Sequence, residues 1–176
     1  GIPIKNMAPT SFDAWMQAWT LARGGLSSDA AYQRIQGNHP DGTRNPDYPV
    51  LIDVPNLIDY MLINLYGANI DSPISRFLGN NSPNNYFAVR NRNGAQGFQF
   101  FVHDAEHTVL NYLLNEDRTG PFPAGDVFGK SNPQYIWQQM WGNEEFRMLF
   151  ADHAHRHLFN DGVLTPVRAR DMYLAR

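Results

Sequence analysis

Apolar residues recur at helical spacing along most of this chain, and strand-like runs are confined to its middle. Phe12, Trp15, Trp19 and Ala22 lie three or four residues apart, which predicts a helix over 11–23 that Gly24-Gly25 ends. A short helix follows over 28–36, with Ser28 as N-cap and Gly37 as terminator. The stretch 38–49 is crowded with Pro, Asp, Asn and Gly and reads as one internal loop. The segment 54–66 is the most hydrophobic helix, capped around Asp53, stopped near Gly67 and expected to be central. Residues 72–83 are irregular, with at most one helical turn near 74–78. The runs 86–90 and 98–102 are apolar and separated by a Gly/Asn-rich stretch, the pattern of a β-hairpin with a longer turn. Helices are expected again over 107–115, 133–141, 144–159 and 166–174. Pro133 and Pro166 stand at first helical positions behind Asn132 and Thr165 as caps. The predicted fold class is mainly α with one small β-hairpin (α+β), in a single domain over 1–176.

The hairpin matters because acidic and amide residues flank it. Asn69-Ile70-Asp71 and Asn84-Asn85 precede its first strand, and Asp104-Ala105-Glu106 ends its second. A hairpin brings its open ends together, so Asp71, Asn84, Asn85, Asp104 and Glu106 are expected to converge. Strand alternation would turn Asp104 and Glu106 to one face, where both could address one cation. These are the oxygen donors from which a magnesium-nucleotide site is made. The bland alternatives are ordinary. Asp104 can cap a following helix, Glu106 can favour its positive end, and Asp71 can close an Asx-turn.

The histidines offer two further constellations. His103 and His107 bracket the acids and, with Asp104, would make a nitrogen-oxygen site preferring a transition metal over Mg²⁺. His153 and His157 share a helix face, as zinc ligands can. That face also carries Phe146, Leu149 and Phe150, so the expected role is a packed, hydrogen-bonded one. Trp15, Trp19, Trp137 and Trp141 pair at helical spacing and are expected in the core.

Composition narrows the classes. A net charge of −3 leaves no basic face for nucleic acid and no polybasic patch for a membrane. No apolar run is long enough to insert in a bilayer. With no cysteine, disulfide scaffolds and thiolate zinc sites are excluded. Only Lys5 and Lys130 are lysines, so any lysine chemistry has those two candidates. No Gly-x-Ser-x-Gly, Gly-x-Gly-x-x-Gly or Walker loop occurs.

Several segments together resemble the CotH-type, spore-coat-kinase-like family of atypical protein kinases. They are Ala31-Tyr32-Gln33-Arg34, Gly37-Asn38, Pro40-Asp41-Gly42-Thr43-Arg44-Asn45-Pro46 and 53–61. The likeness continues through Gly67-Ala68-Asn69-Ile70-Asp71, Asn84-Asn85-Tyr86, Asp104-Ala105-Glu106-His107, Pro133-Gln134-Tyr135 and Asn143-Glu144-Glu145-Phe146-Arg147. The resemblance implies the C-terminal lobe of a protein-kinase-like fold. It implies phosphoryl transfer from ATP, with Mg²⁺ or Mn²⁺, to Ser or Thr of a protein substrate. Asp71 then matches the catalytic-loop aspartate, and Asn84 or Asn85 the asparagine before the strand. Asp104 matches the metal-binding aspartate, and Glu106 the second acid of the Trp-Asp-x-Asp/Glu motif. His103 stands where the family has Trp, and 72–83 is longer than the family norm, which would displace Asp71 from Asp104. The lobe that covers the nucleotide and supplies its lysine is expected upstream, so this lobe is expected to be inactive alone. The alternative is a helical binding or scaffold domain of a large bacterial surface or secreted protein.

Overall fold

The computed structural model describes residues 9–91, 95–113 and 115–175. Lys5 and part of the hairpin turn lie outside the described residues. Six α-helices and one two-stranded antiparallel sheet are present among them. The order is α1 (Pro9–Arg23), α2 (Asp29–Ile35), α3 (Val54–Tyr66), β1 (Tyr86–Val89), β2 (Gln99–Val102), α4 (Pro133–Met140), α5 (Glu144–Leu158) and α6 (Pro166–Leu174). None of these helices is long and apolar enough to cross a membrane.

The caps explain the boundaries. Ser28, Asp53, Asn132 and Asn143 each accept a hydrogen bond from the amide three residues on, at Ala31, Asn56, Tyr135 and Phe146. Each side chain satisfies one of the donors that a helix start leaves unpaired. Thr165 behaves differently: its hydroxyl donates to the Gly162 carbonyl and makes no cap bond.

Helix α3 packs on β2, α4 and α5, and α1 packs on α4 and reaches β2 through Trp15. Trp15 is fully buried and meets the rings of Phe98 at 5.2 Å and Phe100 at 6.1 Å, edge-on. Its indole N–H donates to Ser131 Oγ at 2.8 Å. Between α4 and α5, Trp137, Trp141, Phe146 and Phe150 form a second aromatic group. Trp15 and Trp137 are thus core, as their spacing predicts, while Trp19 and Trp141 are partly buried against it.

The hairpin is anchored on both sides. Tyr86 pairs with Val102 and Val89 with Gln99. On the other edge of β2, the Asn56 side-chain amide acts as a substitute strand. Its Oδ1 accepts from the Phe100 amide at 2.6 Å, and its Nδ2 donates to the Phe100 carbonyl at 3.3 Å. Just before β2, the Phe98 amide donates to the Leu51 carbonyl at 2.7 Å. Gly97 permits that approach, because a Cβ there would sit 2.5 Å from the Ile52 amide nitrogen.

One predicted helix is absent. The segment 107–115 holds only a 3-10 turn, Asn111–Leu113, and Leu114 lies outside the described residues. The Val109 amide donates to the Gly67 carbonyl at 2.7 Å, with Val109 in the left-handed region at φ 52°. That long-range bond and a φ that helices forbid override the local propensity.

Burial of the tyrosines ties stability to alkaline pH. Burial raises the Tyr86 phenol from 10.0 to about 12, and the Tyr60 and Tyr32 phenols are also pushed up, chiefly by burial. The folded state therefore holds these protons more tightly than the unfolded chain. Their contribution is fully present below the unfolded value near pH ~10 and is lost as pH rises through the folded values. Urea midpoints are expected to fall steeply above pH ~10, and less steeply in Tyr86→Phe. An equal fall in that variant would count against the assignment.

Candidate functional site

The site is built from the end of α3 outward. Asn64, in the last turn of α3, donates from Nδ2 to the Tyr60 carbonyl at 2.8 Å and accepts Asn69 Nδ2 on Oδ1 at 3.0 Å. Asn69 Oδ1 accepts from the Asp71 amide at 3.0 Å. The Asx-turn at this helix end therefore belongs to Asn69, and it leaves the Asp71 carboxylate free for other donors.

Those donors come from both sides of the loop. Asp71 Oδ2 accepts from Asn84 Nδ2 and Asn85 Nδ2, each at 2.9 Å. Asp71 Oδ1 accepts a short bond from Ser75 Oγ. At 8% exposure Asp71 is buried, with three uncharged donors on its carboxylate. The second layer is equally ordered: Tyr60 Oη and Ser72 Oγ lie 3.1 Å apart, and Ser72 Oγ donates to the Asn85 carbonyl at 2.8 Å. The long segment 72–83 folds back on itself through Ser75–Ser82 and Asn84–Pro73 backbone bonds, and delivers Ser75 to Asp71.

Sequence reasoning missed Arg118. Its buried guanidinium donates from Nε to the Asn69 carbonyl at 3.2 Å, from Nη1 to Asn80 Oδ1 at 2.7 Å, and from Nη2 to the Ile74 carbonyl. Burial pulls its pKa below the ordinary value, with Glu116 and then Asp71 opposing that shift. The Arg118 carbonyl accepts from Gln134 Nε2 at 2.9 Å, which joins the loop to α4. The signal available in the sequence was a lone arginine in a polar stretch, which is too common to single out.

The second acidic segment runs beside this loop. The Ile70 amide donates to the His107 carbonyl at 3.3 Å, and Val109 bonds Gly67. Asp104 lies two residues past the Tyr86–Val102 pair, with φ 53°. The strand ends at Val102, so alternation does not set the orientations of Asp104 and Glu106. No helix begins for Asp104 to cap, since the next helical turn is Asn111–Leu113. Both acids are exposed, and Glu106 lies 3.5 Å from His107. His107 also meets the Phe77 ring edge-on at 4.9 Å. Lys130 Nζ donates to Asn81 Oδ1 at 3.2 Å on the surface of the same loop.

Among the described residues, three His, Cys, Asp or Glu ligand atoms come within 4.8 Å of one another only at Asp59, His153 and His157. Asp71, Asp104 and Glu106 do not form such a group, and neither do His103, Asp104 and His107. The expected convergence thus holds at side-chain level for Asp71, Asn84 and Asn85. Asp104 and Glu106 make no contact with that group, and the backbone bonds that link the two segments are Ile70–His107 and Gly67–Val109.

No protein-family model, curated protein or solved structure matches this chain. The chemistry of the site therefore rests on its residues. Exposed carboxylates at Asp104 and Glu106 and amide oxygens at Asn84 and Asn85 are hard donors that suit Mg²⁺ or Mn²⁺ with water completing the shell. Asp71 is an oriented acceptor that could align a hydroxyl.

Proposed function

We propose that this chain is a CotH-like, protein-kinase-like module for phosphoryl transfer to protein Ser or Thr, using ATP and Mg²⁺ or Mn²⁺. The observation that carries the proposal is the pair of Asn84 and Asn85 amides on one oxygen of Asp71, at the open end of the hairpin that leads to Asp104. In this scheme Asp71 aligns the attacking hydroxyl, exchanging one amide donor for the substrate. Asp104 and Glu106 hold the metal, whose charge would neutralise the phosphates. Left-handed backbone at both Asn85 and Asp104 supports the scheme, since such conformations gather at sites that need fixed geometry. In the resembling family a further lobe covers the nucleotide and belongs to the active enzyme.

A second reading has its own support. Both Asp71 oxygens are already occupied by Ser75, Asn84 and Asn85, as in an aspartate that only braces a loop. The chain would then be a helical binding or scaffold domain. Calorimetric titration of Mn²⁺ with and without ATP tests the metal site. Mn²⁺ binding is expected, with ATP held weakly at most in the absence of the covering lobe, and is expected to weaken at least tenfold in Asp104→Ala (about 1.4 kcal/mol or more). Binding that survives in Asp104→Ala would remove Asp104 from the proposal. Absence of Mn²⁺ binding in both proteins would count against the metal site, and a chain carrying the upstream lobe would then separate a half-site from a scaffold.

A further inference from the structure

The Asp59, His153 and His157 cluster lies on the packed faces of α3 and α5, apart from the Asp71 loop. Asp59 Oδ1 lies 2.6 Å from His153 Nδ1 and 3.0 Å from His157 Nε2. One carboxylate oxygen thus faces two ring nitrogens, one from each successive turn of α5. The two imidazoles stand 6.2 Å apart between centroids and are tilted 66° to each other, so they aim at Asp59 rather than stack. His153 is buried, which fixes its ring, while the Asp59 side chain is 46% exposed and that of His157 22%.

We infer that Asp59, His153 and His157 form a binding site for a Zn²⁺-class transition ion that clamps α3 to α5. A tetrahedral ion with bonds of ~2.0–2.2 Å needs its ligand atoms roughly 3.3 Å apart. The three atoms here already lie within 4.8 Å of one another. Entry of the ion replaces two shared hydrogen bonds by three coordinate bonds, and the proton that each imidazole held toward Asp59 moves to its other ring nitrogen or is released to water. The exposed side of Asp59 leaves room for water as the fourth ligand. Two imidazoles with one carboxylate select Zn²⁺, Co²⁺ or Ni²⁺ over Mg²⁺, which prefers an all-oxygen octahedron. The site would act as a brace, because an ion bound only by the folded state stabilises it by mass action.

The test uses the whole chain and the metals alone. Zn²⁺ is expected to raise the melting temperature saturably and Co²⁺ to develop visible d–d absorption, and excess Mg²⁺ is expected to suppress neither. Asp59→Asn keeps the side chain's size and a hydrogen-bond acceptor, and His157→Ala changes a rim residue. Both are expected to fold and to weaken Zn²⁺ binding at least tenfold. His155→Ala, which removes a ring stacked on Phe159, is expected to bind as the parent does. No saturable Zn²⁺ or Co²⁺ binding by the parent chain would overturn the inference. So would binding unchanged in both Asp59→Asn and His157→Ala.

Discussion

Replacing Arg118 by alanine is expected to lower stability by about 2–4 kcal/mol and to loosen the Asp71 loop first. Three acceptors lose their donor at once: the carbonyls of Asn69 and Ile74 and the side-chain oxygen of Asn80. Backbone groups left unpaired away from water cost about 1–3 kcal/mol each. The loss is tempered because Glu116, whose side chain is 22% exposed, still pairs with Arg76 at 3.1 Å. The cost falls on one segment. Asn69 orients Asp71 and Ile74 precedes Ser75, so both the Asx-turn and the Ser75 donor depend on the same guanidinium. Hydrogen exchange is therefore expected to accelerate at the amides of Asp71, Ser75 and Arg76 more than at those of α3. Equal acceleration throughout, or a urea-derived loss below ~1 kcal/mol, would show that Arg118 is not the anchor of this loop.

Trp15→Ala is expected to have the larger global effect, about 3–5 kcal/mol. Its ring lies edge-on against Phe98 and Phe100, so its removal opens a cavity between α1 and the sheet. Ser131, also buried, loses the indole N–H that meets its hydroxyl. Total stability of a domain is on the order of 5–15 kcal/mol, so this single change should consume a large share of it. Trp15→Phe restores part of the ring contact but not the hydrogen bond, and is expected to recover about half of the loss. Urea midpoints of the two variants check both statements. A Trp15→Phe protein as unstable as Trp15→Ala would mean that the hydrogen bond outweighs packing.

Much of the helical layout was legible because its signals are local. Helix α3 runs over the residues that its apolar pattern marks, between Asp53 and Gly67, because a cap and a stop act within a few residues. The hairpin strands appear where two apolar runs flank a Gly/Asn-rich turn. The 107–115 helix failed for the complementary reason. Its residues allow a helix, but bonds from Ile70 and Gly67, some forty residues away, hold the backbone elsewhere.

The candidate site divides along the same line. Asp71, Asn84 and Asn85 were marked by the sequence as residues before the hairpin, but what joins them is the 72–83 loop, which folds back through the Ser75–Ser82 and Asn84–Pro73 backbone bonds. Ser75, expected within an insertion that would push Asp71 away, instead became its ligand, since only the folded loop shows which way 72–83 turns. Arg118 and Asp59 were invisible for want of any local mark. Asp59 meets His153 across 94 residues of sequence, and nothing near either residue announces the other.

By itself, then, the sequence determined the α-rich class, most helix ends and the core positions of Trp15 and Trp137. These follow from periodicity, capping and turn chemistry, whose range is a few residues. Tertiary structure alone decided that Arg118 holds the loop, that Asp104 and Glu106 do not join Asp71 in a three-ligand cluster, and that α3 offers Asp59 to the α5 histidines. Those outcomes depend on which helix faces meet, and a buried charge or a pair of imidazoles finds its partner only once they do.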